Sequence, residues 1–338
     1  RALCIVGSDE TVYRETAETA AVVTRLSPSH IRFGSFEVFF YRRQYEHVAT
    51  LADFVIQNHY PEFLDSANKY RLLLREVTRR TAELMAHWQA VGFCHGVMNT
   101  DNMSILGLTL DFGPFGFMEN FNASYICNHS DSSGRYAYDQ QPQIGLWNVS
   151  ALAHALSKLI DEAQRDEILE GYAAIYYEKY AALMGAKLGL QHPSIADLPL
   201  ITTWLELLQT SQLDYTKTWR SLSQFATGEQ ANNHWLRDQF LDRSAFDSWA
   251  ASYSARLQSE NNDDAARRVR MNAVNPKYIL RNYLAQVAIE RAENQRDFSE
   301  VDRLLNLLRN PFDEQPEMEN YAALPPEMAR SIVVSCSS

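Results

Sequence analysis

The spacing of apolar residues is typical of helices over most of the chain. The clearest helix covers residues 69–91, where one side is apolar and Gly92 follows as a stop signal. Its apolar side consists of Leu72, Leu73, Val77, Leu84, Met85 and Trp88. Similar spacing predicts helices at 48–60, 147–160, 164–184, 198–210, 214–224, 236–259, 264–272, 276–294 and 298–308. We therefore expect a mainly helical protein.

The first part of the chain follows a different pattern. Residues 20–26 are rich in β-branched side chains, which predicts a strand, and the turn-forming residues 27–30 end it. Helical spacing resumes at residues 33–41, with Ser35 as a candidate N-cap. The predicted fold class is therefore mainly α with a small β part, that is, α+β.

Composition narrows the range of partners. The chain has 338 residues, 46% of them hydrophobic, and its net charge of −11 disfavours a nucleic-acid partner. No apolar run is long enough for a membrane span, and the apolar run at the start is too short for a signal peptide. Four cysteines (Cys4, Cys94, Cys127 and Cys336) lack metal-binding spacing. We expect a cytoplasmic protein without a nucleic-acid or membrane partner.

Candidate chemistry is concentrated in residues 95–102 and 111–113, which are joined by the apolar run 103–110. This layout predicts a small β-hairpin with Asp101 and Asn102 at one end and Asp111 at the neighbouring end. Oxygen ligands of this kind suit Mg²⁺. Protein kinases hold Mg²⁺ with a catalytic-loop Asn and the Asp of a DFG motif. A kinase-like nucleotide site is therefore the first hypothesis.

The expected catalytic carboxylate is displaced along this loop. Kinases carry the catalytic Asp two residues after the His, and that position here is Val97, which cannot accept a proton. Asp101 is the nearest carboxylate and the candidate base. A simpler interpretation makes Asp101 a helix cap, Asn102 a turn residue and Asp111 the end of a strand. We interpret His95 as a structural, hydrogen-bonding residue.

The motif region is followed by a long segment without periodicity. Residues 114–146 contain many Asn, Ser, Asp, Gly and Pro residues. A loop of this length is usually functional or mobile.

Five sequence blocks resemble the selenoprotein O family, also called YdiU-type proteins. They are His-Gly-Val-Met-Asn-Thr-Asp-Asn at 95–102, Asp-Phe-Gly-Pro-Phe-Gly at 111–116, Tyr-Ile-Cys-Asn-His-Ser-Asp at 125–131, Ser-His-Ile-Arg-Phe-Gly-Ser-Phe-Glu at 29–37 and Ser-Cys-Ser-Ser at 335–338. These blocks span nearly the whole chain. The resemblance implies a kinase-like fold and an enzyme that transfers AMP to protein hydroxyl groups.

The resemblance also implies roles for individual residues. Asp101 would be the catalytic base, and Asn102 and Asp111 would bind Mg²⁺, with Mn²⁺ as an alternative. Asp111 would also contact the nucleotide, and Arg25 and Arg32 would contact the phosphates of ATP. The family is expected to bind ATP with its α-phosphate facing the acceptor.

The residues alone suggest two geometries for the arginines. If 20–26 pairs with 31–33, Arg25 and Arg32 lie opposite each other, where like charges repel. If a helix starts near Ser35, Arg32 lies beside its N-terminus, which favours anions. Two solvated surface arginines are the simpler alternative.

A redox pair is the last implied feature. In the family, the positions of Cys127 and Cys336 can form an intramolecular disulfide. Such a bond would close a loop of roughly 200 residues and tie the tail across the loop that follows the hairpin. Two free thiols are the alternative in a reducing cell.

These inferences lead to a division of the chain. Residues 1–34 would be a remnant of a kinase-like N-lobe and hinge, 35–235 the helical C-lobe, and 236–338 a helical extension with the redox tail. The family's glycine-rich nucleotide loop and strand lysine find no match, so we expect most of the N-lobe to be absent. The chain alone is therefore not expected to bind ATP normally, and we expect this fragment by itself to be inactive.

The predicted function is Mg²⁺-dependent transfer of AMP from ATP to Ser, Thr or Tyr hydroxyls of proteins, with release of pyrophosphate. ATP and acceptor proteins would be the partners. Conventional phosphoryl transfer and a non-catalytic pseudokinase scaffold are the alternatives.

Overall fold

The computed structural model describes residues 2–13, 17–228, 231–261, 263–327, 329 and 332. Strands β1 (Ala2–Tyr13) and β2 (Ala17–Arg25) pair antiparallel, with a register that runs from Ala2 opposite Arg25 to Tyr13 opposite Ala17. The strand predicted at 20–26 is confirmed, and β1 is its partner. Both strands expose apolar side chains, among them Leu3, Ile5, Val6, Val22 and Val23.

The first hydrophobic core is built around one long helix. The elements of this region are α1 (Phe33–Tyr41), α2 (Tyr45–His59), α3 (Lys69–Val91), β3 (Phe93–Cys94), β4 (Gly116–Phe117), α4 (Gln141–Ala155), α5 (Glu162–Glu170) and α6 (Tyr172–Lys187). Helix α3 packs against α4 and α6. It has the predicted bounds, and it ends where Gly92 adopts the left-handed conformation, with φ 68°.

The second core combines helices from both sides of residue 235. Its elements are α7 (Leu198–Thr210), α8 (Tyr215–Ser221), α9 (His234–Arg237), α10 (Arg243–Gln258) and α11 (Asp264–Val274). At its centre Trp204 stacks on Trp249 at a ring-centroid distance of 4.4 Å and meets Trp219 edge-on at 5.9 Å. Helix α7 has the predicted bounds.

A smaller third cluster forms the C-terminal part. Helices α12 (Asn282–Gln295) and α13 (Ser299–Arg309) pack with the 3₁₀ segment Pro316–Ala322. Glu300 is buried there and accepts hydrogen bonds from the Tyr321 hydroxyl (2.7 Å) and from Arg291 (3.1 Å). Among the helices of the described residues, none combines the length and apolar character needed to span a membrane.

Three predicted helices have different bounds in the structure, at positions that lie outside the apolar pattern. Helix α4 starts at Gln141 rather than 147, because Pro142 lies in its first turn, where the fixed φ of proline is helical. The helix predicted at 164–184 is divided at Gly171 into α5 and α6. Helix α10 begins only after Asp242, whose carboxylate accepts a hydrogen bond from Ala245 N at 2.9 Å.

Two further predicted starts are wrong. The helix predicted at 276–294 begins at Asn282, and α1 begins at Phe33, so Ser35 lies inside its first turn rather than at the N-cap. The mainly helical class with small antiparallel sheets is confirmed, which agrees with α+β.

Candidate active site

The apolar run 103–110 turns back on itself and brings the two polar segments together. Met103 and Thr109 form a single antiparallel bridge. Asn102, just before the tight hairpin, and Asp111, just after it, therefore lie at the same end of it. The N-terminus of α1 anchors this hairpin, since Phe33 N donates to Met103 O (3.0 Å) and Ile105 N donates to Ile31 O (3.1 Å). The predicted hairpin is thus present as one bridge rather than as two regular strands.

A buried histidine connects both sides of this site. His95 is 1% exposed, its Nε2 lies 2.6 Å from Leu110 O, and its Nδ1 accepts from Val97 N at 3.3 Å. Because a carbonyl only accepts hydrogen bonds, the proton is assigned to Nε2. Burial lowers the pKa of His95, against the opposing effects of the Leu110 carbonyl and the charge of Asp111. The predicted structural role of His95 is confirmed.

Asn102 belongs to the same hydrogen-bonded chain. Its Nδ2 donates to Val97 O at 2.9 Å, and the residue is buried. Three hydrogen bonds therefore run from Asn102 through Val97 and His95 to Leu110, the residue before Asp111. Since the amide nitrogen is used for this contact, the Oδ1 atom is the part of the side chain that remains as a ligand for a cation.

Buried amide side chains hold the loop at residues 93–98. Gln141 Nε2 donates to Phe93 O and its Oε1 accepts from His95 N, both at 2.9 Å. Asn148 Nδ2 donates to Met98 O at 2.9 Å, and Asn128 Nδ2 donates to Gly96 O at 3.1 Å. Sequence reasoning missed these residues. The available signal was the pair of amides at 141 and 148, whose spacing places both on one helix face.

Asp111 has an unusual backbone conformation. Its φ is 61°, in the left-handed region that few residues other than glycine adopt, although Asp is among the more tolerant. The side chain is half-buried. Phe112 meets Phe115 edge-on at a ring-centroid distance of 5.4 Å, which anchors the residue after this turn.

Asp101 lies directly on the first turn of α1. A Cβ atom placed on Gly34 would overlap Asp101 Oδ1, so no larger residue fits without displacing the carboxylate. The Asp101 side chain is exposed on its other sides. Sequence reasoning missed this contact, although the glycine two residues after Arg32 was a usable signal.

The two arginines are placed differently. Arg32 is the N-cap residue of α1, is half-buried, and is bridged to Ser104 in the hairpin. The alternative in which 31–33 pairs with 20–26 is wrong, because β2 pairs with β1. Arg25 ends β2 and is exposed, and among the described residues no ion pair or hydrogen bond links its side chain to the hairpin.

The donor set at the hairpin fits a hard cation. One amide oxygen (Asn102) and one carboxylate (Asp111) leave coordination positions for phosphates and water, as Mg²⁺ prefers. In the described part of the chain, no group of three or more His, Cys, Asp or Glu residues is placed to hold a metal.

Comparison with known proteins identifies the family. The family model described as "Protein adenylyltransferase SelO" matches residues 1–309. The chain belongs to this family. A protein named "Protein nucleotidyltransferase YdiU" from Herminiimonas arsenicoxydans is 58% identical over all of this chain and 68% of the relative. Those of Thiobacillus denitrificans and Cupriavidus pinatubonensis are 56% and 54% identical over the whole chain, with 69% and 68% of their own length covered.

Membership of the SelO family makes the chain a nucleotidyltransferase of the protein adenylyltransferase class. The resemblance recognised from the sequence blocks is confirmed. The family implies ATP and protein substrates as partners. This assignment favours an enzyme over a non-catalytic scaffold.

The cysteine expected in the redox pair of this SelO-family chain lies deep in the fold. Cys127 is buried, and its Sγ is 3.4 Å from Cys94 O. A hydrogen bond shared with the Cys94 thiol, together with burial, raises the pKa of Cys127. Cys336 lies outside the described residues. Tyr125, near Cys127, lines a cleft of about 800 Å³ together with the tail residues Leu324, Pro325 and Ala329.

We predict that His95 stays neutral at neutral pH. Its imidazole should titrate below the ordinary value of 6.5 because burial disfavours the cation. Unfolding releases the ring, which then takes up a proton, so this residue lowers the free energy of unfolding as the pH falls below about 6.5. NMR titration of the imidazole signals checks this prediction, and the His95 signal is assigned as the one that is missing in the His95→Asn variant. A midpoint at or above 6.5 would contradict it.

Proposed function

We propose that the chain transfers AMP from ATP to Ser, Thr or Tyr hydroxyls of proteins, dependent on Mg²⁺ and with release of pyrophosphate. The observation that carries the proposal is the hydrogen-bonded chain through His95, which holds Asn102 and the residue before Asp111 at one end of the hairpin. An amide oxygen and a carboxylate fixed in this way suit a metal–nucleotide complex.

Asn102 and Asp111 would hold Mg²⁺, or Mn²⁺ in its place. The ion would neutralise charge on the phosphates of ATP. Asp111 would also contact the nucleotide directly. Because Asn102 is neutral, the site repels a triphosphate less than two carboxylates would. The protein's remaining contribution is to position the reacting groups.

Asp101 would act as the base. It is next to Asn102 in the chain and rests on the first turn of α1, with its other sides open to an acceptor. The carboxylate accepts the proton of the hydroxyl group, and the oxygen forms a bond to the α-phosphorus. The bond between the α-phosphorus and the bridging oxygen breaks, and pyrophosphate leaves.

The arginines would bind the phosphates. Arg32 is supported by its place at the N-terminus of α1, where backbone N–H groups favour anions, and by its bridge to the hairpin. A guanidinium group makes forked contacts to phosphate oxygens that Lys cannot make. Arg25 is supported only by the family resemblance.

Cys127 and Cys336 would form the redox pair. The support is the cleft that Tyr125, two residues before Cys127, lines together with the described tail residues Leu324, Pro325 and Ala329. A disulfide there would tie the tail to the loop that follows the hairpin and would restrain it.

The phosphate that is transferred tests the proposed reaction. Incubation with an acceptor protein and ATP labelled at either the α or the γ position should leave only the α label on protein. Asp111→Ala should lower this transfer by about 10²-fold or more, because phosphate charge is no longer neutralised. The exposed Asp139→Ala is the matched control. Retention of the γ label would instead show a conventional kinase.

We expect Gly34→Ala to act through Asp101. The new Cβ overlaps the Asp101 carboxylate, and displacing a reacting group by about 1 Å costs on the order of 10²-fold in rate. Stability should hold or rise, since Ala is favoured over Gly in a helix by about 1 kcal/mol. Transfer rate and melting temperature are the measurements.

Gly171→Ala is the control for this change, because a Cβ there would approach no closer than 3.4 Å to its neighbours. A parental transfer rate in Gly34→Ala would remove Asp101 from the proposed mechanism.

Oxidation is expected to lower activity through Cys336. Treatment with oxidised glutathione should lower the transfer rate of the parent. The transfer rate of Cys336→Ser should be the same with and without this treatment. Cys4→Ser, which alters an exposed thiol in β1, should respond like the parent. If Cys336→Ser responds like the parent, the redox pair is wrong.

A further inference from the structure

Helix α12 begins beside the segment that follows Asp111. A Cβ atom on Gly116 would lie 3.3 Å from Asn282 Nδ2 and 3.4 Å from its Oδ1, so the start of α12 packs closely on β4. The preceding residue, Arg281, forms ion pairs with Glu119 and with Asp214, the latter at 2.8 Å. The C-terminal part of the chain thus contacts a segment five to eight residues beyond Asp111.

These charges are removed from solvent to different extents. The side chains of Arg281 and Asp214 are each 2% exposed, whereas that of Glu119 is 32% exposed. Burial raises the pKa of Asp214 to about 6 and lowers that of Arg281 to about 10. Burial therefore works against both charges, while the backbone N–H and the charge of Lys217 favour the ionised form of Asp214.

The same segment is linked to α8 by backbone contacts. Tyr215 N donates to Glu119 O at 2.7 Å, and Phe121 N donates to Leu213 O at 2.9 Å. Asp214 lies between these contacts, and its Oδ1 caps α8 by accepting from Lys217 N at 2.7 Å. Arg281 therefore binds a carboxylate on each of the two joined segments.

A short path leads from this cluster to the candidate active site. Met118 N donates to Gly92 O at 2.8 Å, and β4 pairs with β3 in the register Phe93 opposite Phe117. Strand β3 leads directly to His95, and β4 follows the Asp111 turn. A shift of the segment 116–119 would thus move both loops that the His95 chain joins.

We infer that Arg281 is a positioning residue for the transfer reaction, fixing the segment 116–119 and through it the turn at Asp111. This inference rests on the proposed function. Without the guanidinium, two carboxylates face each other with no cation between them. Glu119 is the more exposed of the two and can move outward to water, which pulls on the segment that carries it.

The test compares two arginines of the C-terminal part. Arg281→Met removes the charge and keeps similar length, and Arg291→Met is the matched control in α12, where Arg291 pairs with Glu300 away from this segment. Hydrogen exchange of the amides in 111–121 should rise about tenfold or more in Arg281→Met. It should stay parental in Arg291→Met.

Kinetics supply the second readout. Arg281→Met should lower kcat for AMP transfer by about tenfold or more, with a smaller change in KM for ATP, because the reacting groups are misplaced rather than removed. Arg291→Met should keep both constants.

A milder variant covers the case in which Arg281→Met fails to fold. Glu119→Gln cuts the charged link to the segment and leaves Arg281 paired with Asp214, so the fold should persist. Like Arg281→Met, it should raise hydrogen exchange of the amides in 111–121 and lower kcat. Parental exchange in both variants would overturn the inference even if the parent is active. A parent that transfers no AMP would overturn the proposed function, and the exchange data would still decide whether Arg281 holds the segment.

Discussion

The arrangement of the site depends on one buried, neutral imidazole. His95 uses both ring nitrogens, one as a donor to Leu110 and the other as an acceptor from Val97. A protonated ring would present a second N–H to the Val97 amide, and that contact would become repulsive. Trp88 stacks on the ring at 5.1 Å and helps to exclude water. Asn102 and the residue before Asp111 are therefore linked by a residue with no direct role in the proposed chemistry.

Around this imidazole, side chains provide the hydrogen bonds to the backbone that neighbouring strands provide in a regular β-sheet. The loop at 93–98 has little regular structure, and buried backbone groups must still find partners. Gln141, Asn148 and Asn128 provide them. Gln141 and Asn148 lie on α4, which packs on α3 in the first core. The packing of that core therefore also fixes the loop. Arg281 extends this dependence to the C-terminal helices.

Periodic segments were predictable, and irregular ones were not. The bounds of α3 and α7 follow from a continuous apolar face, with Gly92 as the stop signal of α3. The starts of α4 and α10 depend on Pro142 and on the Asp242 cap, which lie outside any apolar pattern. The hairpin at the site was also predicted. The contact of Asp101 with Gly34 was not, because it joins residues far apart in the chain.

At Asp111, the backbone conformation that is costly for folding coincides with the proposed cation ligand. A residue other than glycine at φ 61° costs on the order of 1–3 kcal/mol, and glycine would adopt the same turn at little cost. Glycine, however, has no carboxylate to offer a cation. Selection of variants for thermal stability alone would therefore favour chains that fold better and have lost the proposed cation ligand at this turn.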